Sequence, residues 1–212
     1  EQNGVVMALG VRVMIRYIKG HFAQYTYQHL DDEEWDAPVE REYNGKKIMG
    51  RSTQAFGESS FEYAGKLYEP KPWTDKVLNI KLKAEELVSD WIDREVDFTF
   101  CLAADYPSGH DSIPHHSDTV PTLDDLVVSI SFGATRLFEW KRYAREIKEE
   151  TNTSKVLTYQ AGSNVPYITK RYILEYGDVL IFNGHSQMRS THAVPRCHQV
   201  GRRVNLTFRS GL

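Results

Sequence analysis

The chain is 212 residues long, 41% hydrophobic and 26% charged, with a formal net charge of −3. Those values fit one globular domain, with or without an extension, and a length ample for one buried core. The mild acidity does not announce a nucleic-acid binder, although a local basic groove can coexist with it. Only Cys101 and Cys197 are present, which excludes a disulfide framework and a CxxC zinc pair and points to a reducing intracellular compartment, cytoplasm or nucleus. No apolar run approaches the roughly 20 residues of a membrane span, so no membrane association is expected, and the chain is expected to be a monomer. It opens at Glu1 without a methionine and reads as a trimmed chain or a piece of a longer one.

Residues 4–18 are apolar with interspersed basic residues and open a strand or short helix. Residues 30–48 are polar and charged, with a turn expected at Asn44-Gly45. Over 55–73, aromatic residues separated by glycine turns suggest short strands or a hairpin. The period then changes. Trp73, Val77, Ile80, Ala84, Leu87 and Trp91 recur at helical spacing, with Pro72 suited to the first turn of the helix. After the helix the chain reads as β, with candidate strands at 98–106, 126–133, 136–142, 155–161, 171–176, 178–182, 191–194 and 202–209. The expected fold is mainly β with a flanking helix, a sandwich or barrel. Within this one structural domain, 1–48 is an extension of uncertain role, 49–97 lid strands with the supporting helix, and 98–212 the barrel core.

The last strand splits cleanly with period two. Val204, Leu206 and Phe208 point one way, and Arg203, Asn205, Thr207 and Arg209 the other. Taken alone, the polar stripe is a solvated sheet face. Upstream, however, His116 and Asp118 stand two apart in an extended segment, and His192 falls on a late strand. Two histidines and a carboxylate are the facial triad that binds iron(II) and leaves positions open for a co-substrate and dioxygen. HxD alone is common by chance, and His110, His115, His185 and His198 compete as ligands. Order and strand placement favour His116, Asp118 and His192, because a barrel brings its first and late strands together. An inward Arg203 could then hold the distal carboxylate of a metal-chelating dicarboxylate through its planar fork.

These motifs resemble the AlkB-type dioxygenases, which depend on iron(II) and 2-oxoglutarate. RxNxTFR is present as Arg203, Asn205, Thr207, Phe208 and Arg209, HxD as His116 and Asp118, and HxVP as His192, Val194 and Pro195. Residues 129–134, 177–184 and 55–73 resemble further stretches of the family, and the likeness spans roughly residues 49–210. The resemblance implies a double-stranded β-helix (jelly-roll) barrel. It implies iron(II) held by His116, Asp118 and His192, and 2-oxoglutarate held by Arg203 with Tyr106, the pocket being completed by Asn205 and Arg209. Two departures stand out: Ala104 replaces an asparagine common in the family, and Thr119 and Val120 follow HxD where several members carry an acidic residue, with Asp124 or Asp125 as substitutes at a different spacing.

The implied activity is oxidative demethylation of N-methylated bases in DNA or RNA, consuming dioxygen and 2-oxoglutarate and releasing formaldehyde, succinate and carbon dioxide. A base that leaves its stack needs an aromatic pocket and a phosphate grip. Phe56 and Tyr63, with Arg51, are the candidates for the first, with core packing equally compatible for the two aromatics. The basic runs 141–148 and 169–172 and Arg202 are candidates for the second, against the commoner role of such runs as solvated faces. Two other functions remain compatible: an oxygenase acting on a protein or small molecule, and a binding module without turnover.

Overall fold

In the computed structural model, the described residues are 4–8, 11–25, 40–43, 46–49, 51–58, 60–63, 66–118, 126–144, 166–182 and 190–211. Their elements in chain order are β1 (Gly4–Ala8), β2 (Val11–Ile18), β3 (Glu40–Tyr43), β4 (Lys46–Met49), β5 (Ser52–Gly57), β6 (Phe61–Tyr63), β7 (Lys66–Tyr68) and α1 (Asp75–Ile92). Then follow β8 (Phe100–Tyr106), β9 (Ile113–His116), β10 (Val127–Gly133), β11 (Arg136–Tyr143), β12 (Tyr167–Leu174), β13 (Val179–Phe182), β14 (Ser190–Val194) and β15 (Arg203–Arg209).

The side-chain period of two sorts eleven of these strands into a double-stranded β-helix of two facing sheets, while β3–β4 and β6–β7 form two further two-stranded sheets. The larger sheet has the order β1-β2-β13-β10-β15-β8-β5 and the smaller β12-β11-β14-β9. One face of the large sheet carries Cys101, Ala103, Val128, Ile130, Phe132, Val204, Leu206 and Phe208, and packs under α1 through Val77, Ile80, Ala84 and Val88. The other face carries Ala104, Tyr106, Val127, Leu180 and Phe182, and meets Ile113, Phe138, Trp140, Tyr172, Leu174 and Val194 of the small sheet. Burying either apolar set stabilises the fold by roughly 1.5–3 kcal/mol per large side chain, so a one-residue slip of β15 would turn its apolar row into the interior pocket and drive its polar, charged row under α1.

The helix starts later than its apolar spacing suggests. Thr74 is the N-cap, its hydroxyl accepting a hydrogen bond from the Val77 N–H, and helical residues begin at Asp75. Pro72 therefore lies before the cap rather than in the first turn, and Trp73 reaches the core from outside the helix, stacked on Phe208. Lys81 is buried on the helix and bonded to Glu85 and Asp97 at 2.6 and 2.9 Å, which ties α1 to the segment entering β8.

Three segmental expectations change. Residues 11–18 and 52–57, assigned by sequence to an extension and a lid, both supply strands of the large sheet: β2 pairs with β13, and β5 with β8. The strand expected at 171–176 begins four residues earlier, because its pairing with β11 runs from Tyr143↔Tyr167 to Arg136↔Leu174. The four-residue strand β9 had no place among the candidate strands. The expected strand 155–161 lies outside the described residues, as does the Asn44-Gly45 turn, although the flanking β3 and β4 pair as its hairpin requires.

Candidate metal centre

His116 on β9 and His192 on β14 are directly opposed partners in the small sheet. A few residues on, the register shifts, and Val194 stands opposite Ile113. Two steps along β14 thus match three along β9, a β-bulge. Its consequence is specific. Ile113 and His116 are three apart and would face opposite ways in a regular strand, yet both line the interior pocket. His115 meanwhile points outward, its ring nitrogens on Thr191 Oγ1 (3.1 Å) and Glu139 Oε1 (2.9 Å).

Asp118 lies two residues beyond His116, and its carboxylate spans both imidazoles. Oδ1 is 3.2 Å from His116 Nε2, and Oδ2 is 3.2 Å from His192 Nε2. One ligand atom from each of the three residues falls within 4.8 Å of the others. His116 Nδ1 donates to the Pro114 carbonyl at 2.8 Å, which fixes the ring with its Nε2 toward the carboxylate. His192 is clamped by Phe138 and Trp140, whose rings stack on it at centroid distances of 5.3 and 5.9 Å. Burial, then the neighbouring His116, pushes His192 down to about 4, so it is a neutral imidazole at physiological pH. Burial pushes the Asp118 carboxyl up, but the two imidazoles beside it outweigh that and hold it well below the usual carboxylate range. Two imidazole nitrogen donors and one carboxylate oxygen donor, brought together in one pocket, fit a divalent transition metal.

The polar stripe of β15 faces this triad across the pocket. Arg203 is 1% exposed, and one of its terminal nitrogens donates to Ser131 Oγ and Asn205 Oδ1, both at 2.9 Å. Its Nε and other terminal nitrogen have no hydrogen-bond partner. Its guanidinium lies over the Tyr106 ring at 5.1 Å, with Arg136 and Arg51 over the same ring at 5.5 and 5.9 Å. Burial, aided by repulsion from Arg136 and Arg51 and opposed by Tyr106, pushes Arg203 down to about 10, so it is still a cation at neutral pH. A buried fork with unfilled donors is costly unless an anion fills it, and a carboxylate matches its geometry. Asn205 accepts from Ser129 Oγ at 3.0 Å and donates to Thr207 Oγ1 at 2.8 Å, which fixes the amide orientation. Arg209 reaches further than the resemblance implies, donating to the Asp118 carbonyl at 2.8 Å.

The other expected residues divide. Arg51, Tyr106, Asn205 and Arg209 all line the pocket with the triad. Phe56 does not. It is fully buried in the cluster under α1, because it lies five residues from Arg51 in a period-two segment and so faces the opposite side of the sheet, where it cannot stack on a base in the pocket as the sequence suggests. Tyr63 lies in the β6–β7 hairpin by its backbone, and its side chain is outside the described residues, as are residues 145–148, Asp124 and Asp125. Arg202 bonds Asp105 at 2.8 Å and does not line the pocket. Sequence reasoning missed Ser129, Ser131 and Arg136. The signal was available, since each sits on the inward phase of a strand whose other phase is apolar or solvent-facing.

Residues 15–209 match the 2OG-Fe(II) oxygenase superfamily. The chain is 32% identical over 164 residues to the alpha-ketoglutarate-dependent dioxygenase alkB homolog 3 of Rattus norvegicus and to that of Homo sapiens, covering 76% of this chain and 50% and 51% of those proteins. It is 26% identical over 173 residues to the uncharacterized protein R406 of Acanthamoeba polyphaga mimivirus, covering 79% of this chain and 76% of that one. The chain thus spans about half the length of the alkB homolog 3 proteins it matches. Among solved structures, OsALKBH1 superposes with a TM-score of 0.56 at 19% identity, covering 92% of this chain and 97% of that one, which supports the fold. With the family match spanning nearly the whole chain and the triad and arginine fork in place, the protein belongs to the 2OG-Fe(II) oxygenase superfamily, in which it is similar to the alkB homologs.

Proposed function

We propose that the protein oxidatively demethylates N-methylated bases in DNA or RNA. The observation that carries this is the pairing, in one pocket, of the His116–Asp118–His192 triad with the unfilled buried fork of Arg203. That pocket suits a metal and a chelating dicarboxylate together, and similarity to alpha-ketoglutarate-dependent alkB homologs supports the same choice. When bound, iron(II) with 2-oxoglutarate and dioxygen supplies the oxidation of an N-methyl carbon, which leaves as formaldehyde with succinate and carbon dioxide as co-products.

The chain's own residues do the rest. His116, Asp118 and His192 hold the metal. Arg203, with Tyr106 against its guanidinium face, takes the distal carboxylate of 2-oxoglutarate, and Ser131 and Asn205 keep the fork from turning away. Phe138 and Phe182 wall the pocket and keep water from the reacting carbon. Arg51 stands on the pocket wall as the group for a phosphate or base edge. A panel of methylated DNA and RNA oligonucleotides, incubated with iron(II) and 2-oxoglutarate and scored for formaldehyde, tests this. Release stoichiometric with succinate is expected. A second function, hydroxylation of a protein or small molecule, gains from the burial of Phe56, which removes one base-stacking candidate. It takes precedence if 2-oxoglutarate is consumed while every oligonucleotide is left unchanged.

A further inference from the structure

We propose that Arg136 is a positioning residue of the metal centre, setting the separation of its two histidines through the backbone of β9 and β14. The inference rests on His116, Asp118 and His192 being the metal ligands.

Arg136 opens β11 on the inward phase shared with Phe138 and Trp140, and it is 1% exposed. Its terminal nitrogens donate to three carbonyls: Ser108 O at 3.2 Å, Asp111 O at 2.7 Å and Pro195 O at 2.9 Å. Ser108 and Asp111 belong to the segment entering β9, which carries His116. Pro195 follows directly on β14, three residues beyond His192. One guanidinium therefore bonds both strands of the pair that presents the histidines, at the same end of that pair.

That pair needs a tie. Its register is broken by the bulge between the His192↔His116 and Val194↔Ile113 partners, so its ladder alone fixes the spacing poorly at this end. A second stitch lies beside the first. The Cys197 N–H donates to the Gly109 carbonyl at 3.0 Å, and the backbones approach so closely there that a β-carbon on Gly109 would collide with the Cys197 oxygen. At the far end of the pair, Ser117 Oγ donates to the Ser190 carbonyl at 3.2 Å.

The chemistry of the side chain argues for geometry over packing. Among the described residues Arg136 bonds carbonyls and no carboxylate. A buried cation so placed is costly, and an apolar side chain of similar size would pack without that cost. What the apolar side chain cannot supply is a rigid fork holding three carbonyls at fixed angles.

The test uses cobalt(II) as the probe, read by its visible d–d absorption and by its dissociation constant, together with the melting temperature of the metal-free protein. The variants are Arg136→Lys, which keeps the charge but loses the fork, and Arg136→Met. Lys81→Met, which removes a buried cation on the helix far from the triad, is the stability control. Both Arg136 variants are expected to bind cobalt(II) ten- to a hundredfold more weakly, the range for groups that orient metal ligands, with altered d–d bands. Lys81→Met is expected to melt lower with unchanged affinity and spectrum. Should Arg136→Met not fold, Arg136→Lys decides the matter. A wild-type spectrum and affinity in Arg136→Lys, whatever its melting temperature, would overturn the proposal. Failure of the unaltered protein to bind cobalt(II) would instead overturn the metal-centre assignment on which it rests.

Discussion

β15 and β5 lie in the same sheet with only β8 between them, and each has an arginine, within the strand or just ahead of it, followed five residues later by a phenylalanine. In β15, Arg203 and Phe208 fall on opposite phases. The arginine faces the pocket and the phenylalanine packs under α1. Arg51, just ahead of β5, and Phe56 within it are likewise five apart and divide in the same way, the arginine to the pocket and the phenylalanine to the core. Applied to β15, the period-two rule gives the correct faces. A lid built from both Arg51 and Phe56 ignores that rule, and the structure separates them. Residue chemistry suggests what a side chain can do, but strand phase decides where it does it.

The contrast can be broken most sharply at the triad. Asp118→Ala is expected to abolish metal binding and turnover while leaving the circular dichroism spectrum intact. His110→Ala and His115→Ala, which remove histidines off the inward phase, are expected to keep the metal. Turnover of 2-oxoglutarate by Asp118→Ala at the parent rate would show that the inward phase has been misassigned. Next in size is Phe56→Ala. If its face is core, it costs ~3–5 kcal/mol of stability, read by denaturant melting, with oligonucleotide affinity unchanged in the folded fraction. Arg51→Ala should do the reverse, weakening an oligonucleotide and sparing stability. A stable Phe56→Ala variant with weakened oligonucleotide binding would contradict the assignment of faces.

Acid sharpens the comparison without mutation. His192 binds its proton only near pH 4 when folded but near 6.5 when unfolded, because burial disfavours the charged ring. The unfolded chain therefore takes up the proton first, and this contribution to stability, full above about pH 6.5, is lost as pH falls toward 4. Asp118, also held low in the fold, acts in the same direction at lower pH. The metal-free protein should melt progressively lower over that window, and His192→Gln should flatten the slope. The smallest effect expected is at the helix cap. Thr74→Ala should cost about 1 kcal/mol with no change at the pocket, read as a small shift of the denaturation midpoint.

What was legible in the sequence follows from period. β15, β10, β11 and α1 run long enough for alternation or helical spacing to show, and their apolar faces are those the structure buries. The triad was legible because HxD and a late histidine fall on strands that the barrel pairs. β9 was not. It has four residues, and its bulge places Ile113 and His116 on one side, which no period-two count anticipates. The strand phase of Arg136 was legible, but its role was not, because the three backbone carbonyls it holds carry no sequence signature. Pro72 misled because a proline favours a helix start, but a threonine two residues on offered the better cap.

The proposed seat of the distal carboxylate of 2-oxoglutarate is Arg203, on the inward stripe of β15. It is tested most directly by anaerobic titration of the iron(II)-loaded protein with 2-oxoglutarate, following the visible metal-to-ligand charge-transfer band, for the parent, Arg203→Ala and Arg202→Ala. Stranding a carboxylate opposite a deleted buried arginine costs ~3–5 kcal/mol, roughly a hundred- to several-thousand-fold in affinity. The prediction is that Arg203→Ala needs that much more 2-oxoglutarate to develop the band while binding iron(II) normally, and that Arg202→Ala titrates like the parent. Equal curves for Arg203→Ala and the parent, or equal losses at 202 and 203, would contradict it.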